Sequence, residues 1–194
     1  METNEKVLKP EESLQIIEKM IQRTKSNLHD SSFYFLLWGW IILTVIIGQL
    51  IIKNFTDFQK PYLMWLIVIP GFIASAIYGA RNGHKKKSST HLDRVNFMVW
   101  IAFFVSYVIV LIFMKEFNYN IGIIIYLLAG NATFLTGIII KFRPLVYGGI
   151  VFWLGTLCYL FIPNNYIEFI SPLIIIFGYL IPGYLLRIQN KKNA

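Results

Sequence analysis

The chain has 194 residues, of which 56% are hydrophobic and only 14% charged, and its mean hydropathy is +0.59. A soluble domain carries about 45–50% apolar and about 25% charged residues. Too little polar sequence is present to surround a core, so much of the outer surface must face lipid.

The net charge of +8 does not point to nucleic acid, because the cations cluster beside apolar runs. There they orient helices and meet anionic headgroups. The lone cysteine, Cys158, lies inside an apolar run and excludes an internal disulfide.

The first segment, 1–32, is mixed in charge. Pro10 suits the first position of a helix, and Glu11 and Glu12 suit its positive end. Leu14, Ile17, Ile21, Thr24 and Leu28 then share one face, with Met20 beside them. The spacing predicts an amphipathic helix over Pro10–Leu28. His29-Asp30-Ser31-Ser32 predicts a break and a cap before the membrane. Such a helix lies on the membrane, packs under the bundle or pairs with a partner. The first apolar run starts only at Phe33 and is too long for a signal peptide, so this segment is expected to stay on the protein.

A hydrocarbon core about 30 Å thick needs about 20 apolar residues of helix. Six segments meet or approach that length: Phe33–Ile52, Pro61–Ala80, Val95–Met114, Ile121–Ile140, Leu145–Phe161 and a last one ending at Leu186. The first five contain no ionisable Asp, Glu, Lys, Arg or His. Lipid supplies no hydrogen bonds, so each span is expected to be a helix. With short connections, neighbouring spans are antiparallel and form three consecutive hairpins. The expected fold is an all-α membrane protein: a six-transmembrane-helix bundle over 33–186, preceded by the amphipathic helix and followed by a basic tail, 187–194.

Orientation follows from Lys and Arg. Fifteen fall on the side holding both termini and three on the other. The positive-inside rule then places both termini in the cytoplasm of a cell-membrane protein. The second, fourth and sixth spans carry Gly71, Gly130 and Gly178, and the first, third and fifth carry tryptophans. This pattern is either a threefold hairpin repeat or ordinary membrane composition.

Few positions carry chemistry. Asn131, with Thr133 and Thr136, is the main polar group inside a span. A carboxamide in mid-bilayer must be hydrogen-bonded, so it is expected to face the bundle interior, either as an interhelical bond or as a substrate contact. Gly71–Ser75–Gly79 and Ala129–Thr133–Gly137 are stripes of small residues that allow close helix contact. Pro70 and Pro182, each followed by glycine, mark irregular backbone. The last span starts either at Asn165, with Glu168 as a capping residue, or at Ser171-Pro172.

The basic loop with Arg81, Lys85, Lys86 and Lys87 is expected to touch anionic lipid headgroups. His29, His84 and His91 have Asp30 and Asp93 nearby but no i, i+4 histidine pair and no cysteine partner, so no metal or cofactor is expected. No nucleotide-binding, hydrolase or metalloprotease motif is present, and no acid pair lies inside a span.

The stretch Glu18–Trp40, with Phe35-Leu36-Leu37-Trp38-Gly39-Trp40 at its end, resembles the opening of a family of small multi-pass bacterial integral membrane proteins with no assigned activity. The resemblance implies topology and an inner-membrane location, and no mechanism. Two functions follow as expectations. The first is a non-enzymatic accessory or regulatory membrane protein that engages lipid, a membrane-protein partner or a second copy. The second is a small transporter or channel with a path lined near Asn131.

Overall fold

The computed structural model describes residues 10–55, 61–83, 91–117 and 121–192, with the side chains of 10–31, 61–62, 82–83 and 164–165 outside that description. The described chain is all helical. Six helices are long and apolar enough to cross a membrane, and they mark a multi-pass membrane protein.

α1 runs unbroken over Pro10–Phe55, and its apolar span is Ser32–Phe55. The described residues of this helix begin at Pro10, so the predicted start lies at the edge of what is described. The predicted break at His29–Ser32 does not form. Asp and Ser cost only a few tenths of a kcal/mol each inside a helix, and the apolar turns that follow outweigh local capping. The side chains of Leu14, Ile17, Ile21 and Leu28 lie outside the described residues.

The second span opens as a 3₁₀ turn, Pro61–Ile67, and continues as α2, Val68–Gly83. Pro70 explains the change. It has no N–H for the Leu66 carbonyl and its ring crowds that carbonyl, so the preceding turn tightens. α3 is His91–Ile112, α4 is Gly122–Ile139 and α5 is Arg143–Phe161.

The turn from α4 to α5 is a Schellman motif. Phe142 N–H reaches Gly137 O at 2.8 Å and Lys141 N–H reaches Ile138 O at 3.1 Å. Lys141 holds the left-handed position with φ 55°, where glycine is usual.

The last span is α6, Asn164–Ile175, a π-helical stretch, Ile176–Leu180, and α7, Ile181–Lys192. The helix therefore starts before both predicted caps. Pro172 lies inside it. Glu168 does not act as the expected cap: its carboxylate accepts from Lys53 Nζ at 2.6 Å, tying the far end of α1 to the last span. α7 continues through Arg187 to Lys192, so the basic tail is helical over its described residues.

The three hairpins form as expected, and two further pairings close the bundle. α4 packs most extensively on α5, and α1 packs along α6, the π stretch and α7. The core gathers Phe35 and Leu43 of α1, Tyr126 and Ala129 of α4, Leu145 and Phe152 of α5, and Ile175, Tyr179 and Leu186 of the last span. Spans two and three are peripheral. Only 11% and 6% of their apolar windows are buried, against 28–50% in the other four. An aromatic chain from Trp38 through Phe72 to Phe104 holds them to α1.

Candidate functional site

The polar interior is built on one face of α4. At 100° per residue, Tyr126, Ala129, Thr133 and Thr136 line up along the helix. All four are buried, and Thr133 and Thr136 have no exposure.

Thr136 sits in a three-residue cluster. Its Oγ1 accepts from Trp100 Nε1 at 3.1 Å and donates to Asn96 Oδ1 at 2.9 Å. The i, i+4 spacing of Asn96 and Trp100 brings both to one side of α3. The cluster binds the third span to the fourth, where apolar burial on α3 is slight.

One turn along, the Thr133 hydroxyl is buried without a hydrogen bond of good geometry and faces the Tyr179 hydroxyl of the π stretch. Near the Gly122 end of α4, Tyr126, Tyr159 and Ser171 converge. The Tyr159 hydroxyl lies 3.3 Å from Ser171 Oγ, which donates to the Ile167 carbonyl at 2.8 Å. The Tyr126 and Tyr159 rings meet edge to face at 5.2 Å.

Asn131 is elsewhere. Two residues from Thr133 is 200° around the helix, so Asn131 lies on the opposite, exposed face. Its Oδ1 does accept a bond from another helix, from Trp153 Nε1 of α5 at 3.0 Å. The expected interhelical partner is present, but the expected inward orientation is not. The trio Asn131, Thr133 and Thr136 is therefore not one site.

The small-residue stripes make close contacts. A Cβ on Gly137 would meet Val146 N at 2.6 Å, and one on Gly149 would meet the Phe134 backbone at 2.8 Å. α4 and α5 therefore touch backbone to backbone. Gly71 faces Ile41, and Gly79 lies under the Tyr34 hydroxyl, on the contact between α1 and α2.

The tryptophans do not repeat from hairpin to hairpin. Trp40 donates to Tyr184, Trp65 to Gln49, Trp100 to Thr136 and Trp153 to Asn131, which joins a different pair of spans in each case.

At the basic end, Arg81 is exposed at the close of α2, and Lys85, Lys86 and Lys87 lie outside the described residues. A groove of about 420 Å³ follows α1 along Phe33, Leu36, Leu37, Trp40 and Ile41, with Ser32 and Arg187 at its mouth. Asn190, one helical turn beyond, is 8% exposed and has neither amide atom bonded to a described residue.

Sequence reading missed Asn96, Trp100, Tyr126, Tyr159, Ser171 and Tyr179. The signal was available in part: the 126–129–133–136 spacing marks a single face. Among the described residues no three His, Cys, Asp or Glu side chains come together. Comparison of the chain with protein-family models, with curated proteins and with solved structures gives no match.

Proposed function

We propose that the protein is a non-enzymatic accessory or regulatory protein of the cell membrane whose first helix carries a partner-engaging segment out of the bilayer. The observation that carries this reading is the unbroken α1. Its 46 residues extend about 69 Å at 1.5 Å per residue, whereas the hydrocarbon core is about 30 Å thick. A helix with no break at the interface leaves the bilayer along its own axis instead of bending onto the surface. The stretch Pro10–Ser31 then stands in water with Leu14, Ile17, Ile21 and Leu28 along one stripe. Such a stripe calls for a covering surface, and a groove or a second helix on a partner supplies one.

The charge distribution supports the orientation. Fifteen of the eighteen cations fall on the side holding Pro10 and Lys192, which places that side in the cytoplasm. Arg81 and Arg187 there meet anionic headgroups. The Lys53–Glu168 pair lies on the outer side.

The polar interior supports the same reading over transport. A path needs polar groups along a continuous opening. Thr133 and Thr136 are closed over completely, Thr136 is bonded to its neighbours, and Asn131 faces outward.

The experiment is photo-crosslinking in the native membrane. A photoreactive residue at Ile17 or Ile21 of the full-length protein is expected to give a discrete adduct with another protein. The same residue at Phe97, on the exposed face of α3, is expected to give lipid adducts alone. Lipid or intramolecular adducts at all three positions overturn the proposal, as does selective solute flux through the purified protein in liposomes.

A further inference from the structure

Asn131 is the tenth of the 18 residues of α4, about 13 Å from either end by helix rise. Its carboxamide is therefore at the centre of the hydrocarbon. It is exposed on the bundle surface. Trp153 satisfies one lone pair of Oδ1. The second lone pair and both N–H groups of Nδ2 meet no described residue. A primary amide left open to hydrocarbon costs several kcal/mol, so this face calls for a polar partner at the same depth.

The surroundings fit a helix. Ile124, Leu127, Asn131 and Ile138 fall at spacings of three, four and seven, the apolar seam of a helix pair, while Phe134 is packed against Gly149 and Trp153 of α5. Leu135 flanks the seam, and Leu127, Leu135 and Ile138 are among the exposed apolar side chains of the fold. No Asp, Glu, Lys, Arg or His lies on α4. A single asparagine among apolar a and d positions sets register and oligomeric state.

We propose that this face of α4 is a homodimer interface, in which the Asn131 carboxamides of two copies bond each other across a two-fold axis along the membrane normal. The occupant follows from symmetry. Two copies inserted with the same topology place their α4 helices parallel and both Asn131 groups at one depth. A carboxamide is its own complement: each Nδ2 donates to the free lone pair of the partner's Oδ1, and the contact is isologous. Any other protein needs its own amide or hydroxyl at that depth, whereas a second copy brings one by construction. The proposal stands apart from the role of the N-terminal segment of α1.

The test uses the full-length protein with Cys158→Ala in liposomes of graded lipid-to-protein ratio. Leu127→Cys is expected to give an oxidised dimer, while Ile109→Cys on α3 is not. Asn131→Leu, read by single-molecule photobleaching, is expected to raise the dimer dissociation constant about tenfold, the loss of two interhelical amide bonds. Asn131→Gln keeps the amide and is expected to recover part of the dimer. Thermal unfolding of each variant shows that it is folded, and a variant that is not is replaced by Leu135→Trp, which blocks the seam sterically and is expected to dissociate the dimer. A monomer at every ratio overturns the proposal. So does a dimer indifferent to Asn131→Leu, or a Leu127→Cys variant that gives no more oxidised dimer than Ile109→Cys.

Discussion

The Gly178 carbonyl lies against the backbone of Gly148, so close that a Cβ on Gly148 would meet the oxygen at 2.5 Å. The contact has a covalent origin. Pro182 stands four residues after Gly178 and has no N–H to donate, so this carbonyl loses the i+4 donor of an α-helix. The π-helical stretch Ile176–Leu180 ends with one residue, Ile181, before Pro182. The oxygen faces α5, where only glycine leaves room, and Pro182 Cγ closes the same gap at 3.1 Å. A Cα–H···O contact of this kind is the weak bond expected between closely approaching helices.

Gly148→Ala is therefore expected to destabilise the bundle by about 1–3 kcal/mol, the range for overpacking, because the obstacle is backbone and cannot rotate away. Gly79→Ala serves as control. Its neighbour is the Tyr34 hydroxyl at 3.1 Å, the end of a side chain that can move. Unfolding in mixed micelles, followed by circular dichroism, separates the two.

Thr136 and Thr133 are both fully buried, but their hydroxyls are not equivalent. Thr136→Val removes the group that bonds Trp100 and Asn96 and leaves both without a partner. The expected cost is about 1–3 kcal/mol. Thr133→Val removes a hydroxyl that has no bond of good geometry, so the change is expected to be near neutral or stabilising, because an unsatisfied buried hydroxyl carries a desolvation cost that goes with it. The same unfolding assay checks the order. Equal costs would show that Thr133 is bonded too.

Lys141 adopts φ 55° to complete the turn between α4 and α5. That conformation costs a residue with a Cβ about 1–2 kcal/mol, and glycine escapes the cost at some expense in chain entropy. Lys141→Gly is expected to raise stability by about 0.5–1 kcal/mol. Lys141→Val is expected to lower it, since a β-branched residue fits the left-handed region worst.

Topology is open to tagging. A reporter fused after Ala194 is expected in the cytoplasm, and one inserted near Asn164 is expected outside. Finding both on one side would contradict six spans, because the last span, Tyr166–Lys192, must separate them.

The number of spans, their order and the three hairpins were legible in the sequence, because each depends on a local quantity. About 20 apolar residues cross a bilayer whatever their neighbours do, and a short connection leaves adjacent helices no choice but to pair. Which face of each helix turns inward was not legible in the same way. In water, apolar periodicity separates core from surface. In lipid both sides are apolar, so the pattern carries little direction. Asn131 was assigned to the interior because a polar group has no obvious place outside. Its exposure was decided by the glycines that draw α5 onto α4 and by Trp153, which reaches the carboxamide from the bundle's outer side. The continuous α1 is the second case. Asp30, Ser31 and Ser32 carry a local capping signal, yet the helix passes through them. The sequence determined what crosses the membrane. Packing between helices decided which polar groups meet inside it and which one is left on the surface.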